Sequence, residues 1–177
     1  INNFLSNLRA PLVVVNQLLQ GQADNAIQSS GRFIVNSTVG VFGLFDVAEK
    51  IGLEEKEEDY GQTLATWGVG DGFYIVLPLF GPSNLRDTTG MVLTMMTDPI
   101  NAYAVSEGEA WLVPMRTAAN AVDQRSQIID EVNALRDNSV DYYAAVRSSY
   151  YQNRNAAINN VDDSELTPLP LISIEFE

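Results

Sequence analysis

Residues 109–136 read EAWLVPMRTAANAVDQRSQIIDEVNALR. Trp111, Met115, Ala118, Val122, Ile129 and Val132 recur along this stretch at three- and four-residue steps. That is the period of a helix with one apolar face, and no strand-like alternation competes with it. Arg125 lies on the same stripe. Its place in the apolar stripe predicts a mostly buried guanidinium within salt-bridge reach of a carboxylate, Asp141 by preference. Such a pair reads as architecture rather than chemistry.

The helical pattern continues on both sides. Toward the C-terminus, Asn138 or Ser139 is placed to cap a last long helix, with Asp141 in its first turn. Tyr143, Arg147, Tyr150 and Arg154 then share one face, and packing on a neighbouring helix accounts for them. Residues 158–177 hold no Lys or Arg and are broken by prolines and acidic clusters. The expected organisation is therefore a helical domain over residues 1–160 and an extended acidic tail over 161–177. Toward the N-terminus, Asp87 suits the N-cap of a helix through Val92, Leu93, Met95 and Met96, stopped at Pro99. Residues 3–8 read as a short helical turn, with Pro11 at the first position of a new helix. That helix carries Leu12, Val15, Leu18 and Leu19 on one side, and Gly21 follows as its cap. Asp24 opens the next, with Ile27, Gly31 and Ile34 down one face. Residues 41–48 form a short apolar helix or turn.

One segment departs from the helical period. Residues 67–85, WGVGDGFYIVLPLFGPSNL, set Gly68, Gly70 and Gly72 before an apolar run. The spacing is neither a dinucleotide fingerprint nor a phosphate-binding loop. Two readings stand: a static glycine-rich turn, or a hinged hairpin that moves at an opening. Only residues 72–79 look strand-like. The expected fold is all-α, about seven helices in a single compact domain with a glycine-rich hairpin and no sheet of more than two strands.

Composition narrows the function. The 177 residues carry 10 Lys+Arg against 23 Asp+Glu, a net charge of −13. Long-range repulsion argues against a nucleic-acid partner and against a polybasic grip on anionic lipid. Any membrane contact must therefore use apolar surface. Cysteine and histidine are both absent, which removes thiol chemistry, the Ser-His-Asp triad and ordinary zinc sites. The acidic run Glu54, Glu55, Glu57, Glu58 and Asp59 reads as a solvated loop or helix start and lacks calcium-loop spacing. No apolar run reaches the ~18 residues of a spanning helix. The uncharged stretches 33–45, 72–85 and 88–97 are either buried core or segments lying in one leaflet. Ile1 is not a Met, so the true N-terminus is expected to lie upstream.

Several motifs, in order, resemble the VacJ/MlaA family of outer-membrane lipoproteins. Arg32-Phe33 with Asn36 resembles its RF-x-x-N segment, and Gly43 with Asp46-Val47-Ala48 the following G-x-x-D-V-A. Asp59, Gly61 and Leu64 come next. Then follow Trp67-Gly68-Val69-Gly70 with Gly72, Tyr74 and Pro78, and Gly81 through Leu85-Arg86-Asp87. Arg125, Asp141, Tyr142, Arg147, Tyr150 and Arg154 are similar to the family's closing helices. The likeness runs from Asn3-Phe4 to about Arg154. The family's lipidated Cys is absent, and residues 95–109 and Met115-Arg116 match poorly.

The resemblance implies a ring-like helical protein in the inner leaflet of the Gram-negative outer membrane, anchored through an N-terminal Cys. It implies a non-catalytic role, without cofactor or metal, in moving misplaced phospholipid from the outer leaflet to a soluble periplasmic carrier, in association with a trimeric porin. Gly68, Gly70, Gly72, Phe73 and Tyr74 would belong to a hairpin gating a lipid channel. Arg32, Asn36, Asp46, Arg86, Asp87, Arg125, Asp141 and Arg147 would be structural motif residues. The competing readings are a soluble periplasmic interaction module and a carboxylate enzyme using Asp46 and Asp59, one of them with a raised pKa in a cleft.

Overall fold

The computed structural model describes residues 2–127 and 129–161. It is mainly helical, as the period implies: nine helices and one two-stranded antiparallel sheet among the described residues. Contacts divide the chain into two compact units, residues 1–72 with 85–113 and residues 73–84 with 114–177, a division the sequence did not signal.

In the first unit, α1 (Asn2–Leu19) is a single helix with Pro11 inside it. The expected break is absent. Proline removes one backbone bond and strains the preceding turn, at about 3 kcal/mol. Tertiary packing offsets this: α1 lies along α2 (Ala23–Thr38), and the Asn7 amide donates to Ser37 Oγ at 2.9 Å. The N-cap of α2 is Gln22, and Asp24 sits one residue inside the first turn. Turns then lead to α3 (Val47–Lys50), capped by Asp46, and an irregular acidic stretch leads to α4 (Tyr60–Thr66), capped by Asp59. After the hairpin come α5 (Leu85–Thr97) and α6 (Pro99–Ser106). Asp87 lies within the first turn of α5 and is not its cap. A Cβ at Gly90 would collide with the Gly61 backbone, so α5 and α4 touch where neither has a side chain.

The second unit holds the hairpin, β1 (Tyr74–Leu77) and β2 (Gly81–Asn84), in register Tyr74↔Asn84 to Leu77↔Gly81. Most of α7 (Leu112–Gln127) belongs to it, with α8 (Ile129–Asn138) and α9 (Tyr142–Ile158). Asp141 is itself the α9 cap, accepting from the Ala144 amide at 3.0 Å, rather than a first-turn residue behind Asn138 or Ser139. The acidic-tail expectation falls on residues 162–177, outside those described.

Burial is inverted relative to a water-surrounded domain. Among the described residues the buried hydrophobic side chains are all alanines (Ala26, Ala48, Ala121, Ala156), against fourteen buried polar or charged residues. Asn16, Gln17, Thr63 and Asn84 are the largest fully buried side chains. The apolar stripes face outward instead. Ile27 is 71% and Ile34 61% exposed on α2, and Val15, Leu18 and Leu19 are exposed on α1. Val41, Phe42, Leu44 and Phe45 are exposed in the turn after α2. The helical phase is the expected one, but the faces are exchanged.

Arg125 follows from this exchange. It lies with Met115, Val122 and Ile129 on a stripe that is exposed, and is itself exposed. Among the described residues no ion pair joins it to Asp141. The expected buried pair is therefore wrong, because a period identifies one face of a helix without saying what covers it.

Candidate functional site

Three clusters gather most of the motif residues. The first ties α2 to α3. Arg32, buried in the second half of α2, donates to Asp46 Oδ2 at 2.8 Å and to the Leu53 carbonyl. Asn36, one turn later, donates to Asp46 Oδ1 at 3.1 Å and accepts from the Val47 and Ala48 amides, each at 2.9 Å. Asp46 also accepts from the Glu49 amide at 3.0 Å. Burial pushes its pKa up, but the Glu49 amide, the Asn36 amide and the Arg32 guanidinium outweigh this and hold it below the usual 3.8. An acid catalyst requires the opposite shift. Asp59 is likewise engaged at a helix start, accepting from the Gln62 amide at 2.9 Å. Both carboxylates of the enzyme reading are thus helix caps.

The second cluster closes the base of the hairpin. The Arg86 amide donates to the Asp71 carbonyl at 3.2 Å, and its buried guanidinium pairs with the Asp71 carboxylate. Arg86 Nε also reaches Asp87 at 3.0 Å. The three glycines differ. Gly72 has φ +68 and a Cβ there would lie 2.9 Å from Leu85 Cβ, so both backbone and space require glycine. Gly68 has φ +87 in open space, whereas Gly70 has open space and no positive φ. Asp71 was not singled out from sequence, since its partner is fifteen residues away across the hairpin.

The third cluster joins hairpin to α9. The Tyr74 ring meets Tyr143, Tyr150 and Tyr151 with centroids 5.7, 5.9 and 6.0 Å apart. The Arg147 guanidinium lies 5.6 Å from the Tyr74 ring centre and 5.8 Å from that of Tyr151. Burial, with Tyr143 and Tyr151 close by, raises the Tyr74 pKa above its usual 10.0. The helical spacing of Tyr143, Arg147 and Tyr150 was legible, but the strand residue facing them was not. Phe73, one residue from Tyr74 at the hairpin start, is 81% exposed. Among the described residues no group of acidic side chains could hold a metal ion, and no helix is long and apolar enough to cross a membrane.

A helical chain with polar residues inside, apolar residues outside and a clamped hairpin has the build of a protein whose outer surface meets hydrocarbon. The chain belongs to the MlaA lipoprotein family, whose sequence model matches residues 1–157. It is 33% identical over 172 residues to the intermembrane phospholipid transport system lipoprotein MlaA of Escherichia coli, covering 95% of this chain and 64% of that one. An uncharacterized protein of Rickettsia prowazekii is 37% identical over 159 residues, covering 89% and 62%. The chain thus spans less than two thirds of the curated relatives it matches. A solved structure described as the structural basis for maintenance of bacterial outer membrane lipid asymmetry superposes with a TM-score of 0.74 at 33% identity. That match covers 90% of this chain and 78% of the other.

Proposed function

We propose that this chain is a non-catalytic phospholipid-transport component of the Gram-negative outer membrane. It lies in the inner leaflet on the periplasmic side, held by a lipid anchor on an upstream cysteine. It removes phospholipid misplaced in the outer leaflet and passes it to a soluble periplasmic carrier, in association with a trimeric porin. Residues 1–160 form the transport domain, and the hairpin beginning at Gly68, Gly70, Gly72, Phe73 and Tyr74 is its gate.

The observation that carries this reading is the exchange of faces. Exposed Ile27, Ile34, Phe42 and Phe45 cost solvation in water and gain it in hydrocarbon, at about 25 cal/mol per Å². Asn16, Gln17 and Thr63 are buried instead, so the polar side of these helices is the inside and the apolar side is the one left for acyl chains. A soluble interaction module would be expected to cover those apolar side chains. The relatives named for intermembrane phospholipid transport agree with the same reading. The test is complementation of a Gram-negative strain lacking its own family member, with this domain carried on that member's anchor segment. Restored resistance to detergent and chelator, with less phospholipid in the outer leaflet, is expected. A membrane-localised protein that restores neither would overturn the proposal.

A further inference from the structure

Arg147 sits among aromatic rings in this acidic chain. Its guanidinium rests against the faces of Tyr74 and Tyr151, and no carboxylate among the described residues pairs with it. Arg32 and Arg86, by contrast, are matched to Asp46 and Asp71. Arg147 also opens onto a groove of about 420 Å³ along α9, lined by Tyr143, Arg147, Ser148, Tyr151, Gln152 and Asn155. In a protein with 23 acidic residues against 10 basic ones, that lining holds one cation and no acid.

We propose that this groove is a phosphodiester-binding site, with Arg147 as the anion contact. This rests on the phospholipid reading above and assigns the residue that recognises the headgroup. Two ring faces hold the guanidinium without using its N–H fork, leaving those donors for a bidentate contact with two phosphate oxygens. The Gln152 amide donates to Ser148 Oγ at 3.1 Å, so the Ser148 hydroxyl proton remains to be given to an acceptor. Asn155 adds a side-chain amide at the far end of the groove. The buried Tyr74 hydroxyl has no hydrogen-bond partner beside this cluster. An aromatic box can also take a quaternary ammonium, but here the box already contains a cation, so the acceptor it calls for is an anion. A soluble phosphate ester carries the same chemistry as a lipid headgroup, and size and acyl contacts separate them.

The test is equilibrium binding to the full chain in neutral detergent of dihexanoyl phosphatidylglycerol, glycerol 3-phosphate and dihexanoylglycerol. The wild type is expected to bind the phospholipid at least tenfold more tightly than either other compound. Arg147→Gln should weaken phospholipid binding at least tenfold. Arg147→Lys keeps the charge but loses the fork, and should weaken it at least threefold; it decides the matter if the Gln variant fails to fold. Variants binding within twofold of wild type overturn the assignment of Arg147 while leaving lipid transport standing. Equal binding of glycerol 3-phosphate overturns the lipid headgroup in favour of a soluble ester. Equal binding of dihexanoylglycerol overturns phosphate recognition. A wild type that binds no phospholipid at all counts against the transport reading itself.

Discussion

Arg32 and Arg125 are both arginines on helices, and the structure separates them completely. The Arg32 side chain is 8% exposed and that of its partner Asp46 16%. Removing one member of such a pair leaves a charge in a poorly solvated place, at about 3–5 kcal/mol. Arg32→Ala is therefore expected to destabilise the fold by an amount in that range, read from the shift in its denaturation midpoint. Arg125→Ala removes an exposed side chain and is expected to change stability by less than about 0.5 kcal/mol. Equal midpoint shifts for the two variants would contradict the assignment of faces. Asp46 adds a pH signature. Its folded-state pKa lies below 3.8, so its contribution is present above that value and is lost as pH falls through the lowered pKa. Denaturant midpoints measured from about pH 7 down to about pH 2 should fall steeply below about pH 4. Asp46→Asn should start lower at neutral pH and lose part of that acid limb. An Asn variant with the wild-type slope would show that Asp46 titrates normally.

At the scale of the element, the hairpin divides what three glycines do. Gly72 is required by its φ of +68 and by Leu85, and Gly70 by neither. Gly72→Val is expected to destabilise by more than about 2 kcal/mol, through backbone strain and overpacking together. Gly70→Val should fold with unchanged helicity, so it is the variant that tests motion. If the hairpin swings as a gate, the stiffer, β-branched residue will reduce detergent and chelator resistance in the complemented strain without loss of protein from the membrane. Full protection would make the glycine run a static turn. The sequence marked the hairpin, its first strand and its glycines, because a strand-like run after clustered glycines is a local signal; the second strand, Gly81–Asn84, carries no such pattern. It left out Asp71 and the Tyr74 partners, because their contacts cross fifteen to seventy-seven residues of chain.

Over the whole molecule, the exchanged faces make a prediction about solvent. Ile27→Ser with Ile34→Ser removes two exposed apolar side chains from α2, 71% and 61% accessible. In detergent the fold should keep its helicity, since neither side chain is part of a packed interior. Partitioning into phospholipid vesicles should fall by about two orders of magnitude, corresponding to about 3 kcal/mol of lost hydrocarbon burial. Vesicle flotation measures this, and unchanged partitioning would place the α2 face away from lipid. The converse change, Asn16→Leu, deletes the nearer of two acceptors of the Thr63 hydroxyl, 2.7 Å away, and leaves only the Asp59 carbonyl at 3.2 Å. It should destabilise the fold by about 1–3 kcal/mol, although it raises hydrophobicity.

The sequence by itself determined the helical class, the hairpin, the phase of each amphipathic stripe and the family motifs, all of which are written in neighbours a few residues apart. It also determined what Arg32, Asn36 and Asp46 belong to, but not that they knot one helix end to the next helix start. Only the tertiary structure decided which side of each stripe is covered. A hydrophobic period has the same form whether its apolar face meets a core or a lipid, because both are hydrocarbon to a side chain. The difference lies in what the opposite face does. Here Asn16, Gln17, Thr63 and Asn84 are shut away with 1% exposure or less, and no local pattern could say that these polar residues, rather than the leucines beside them, would be the inside.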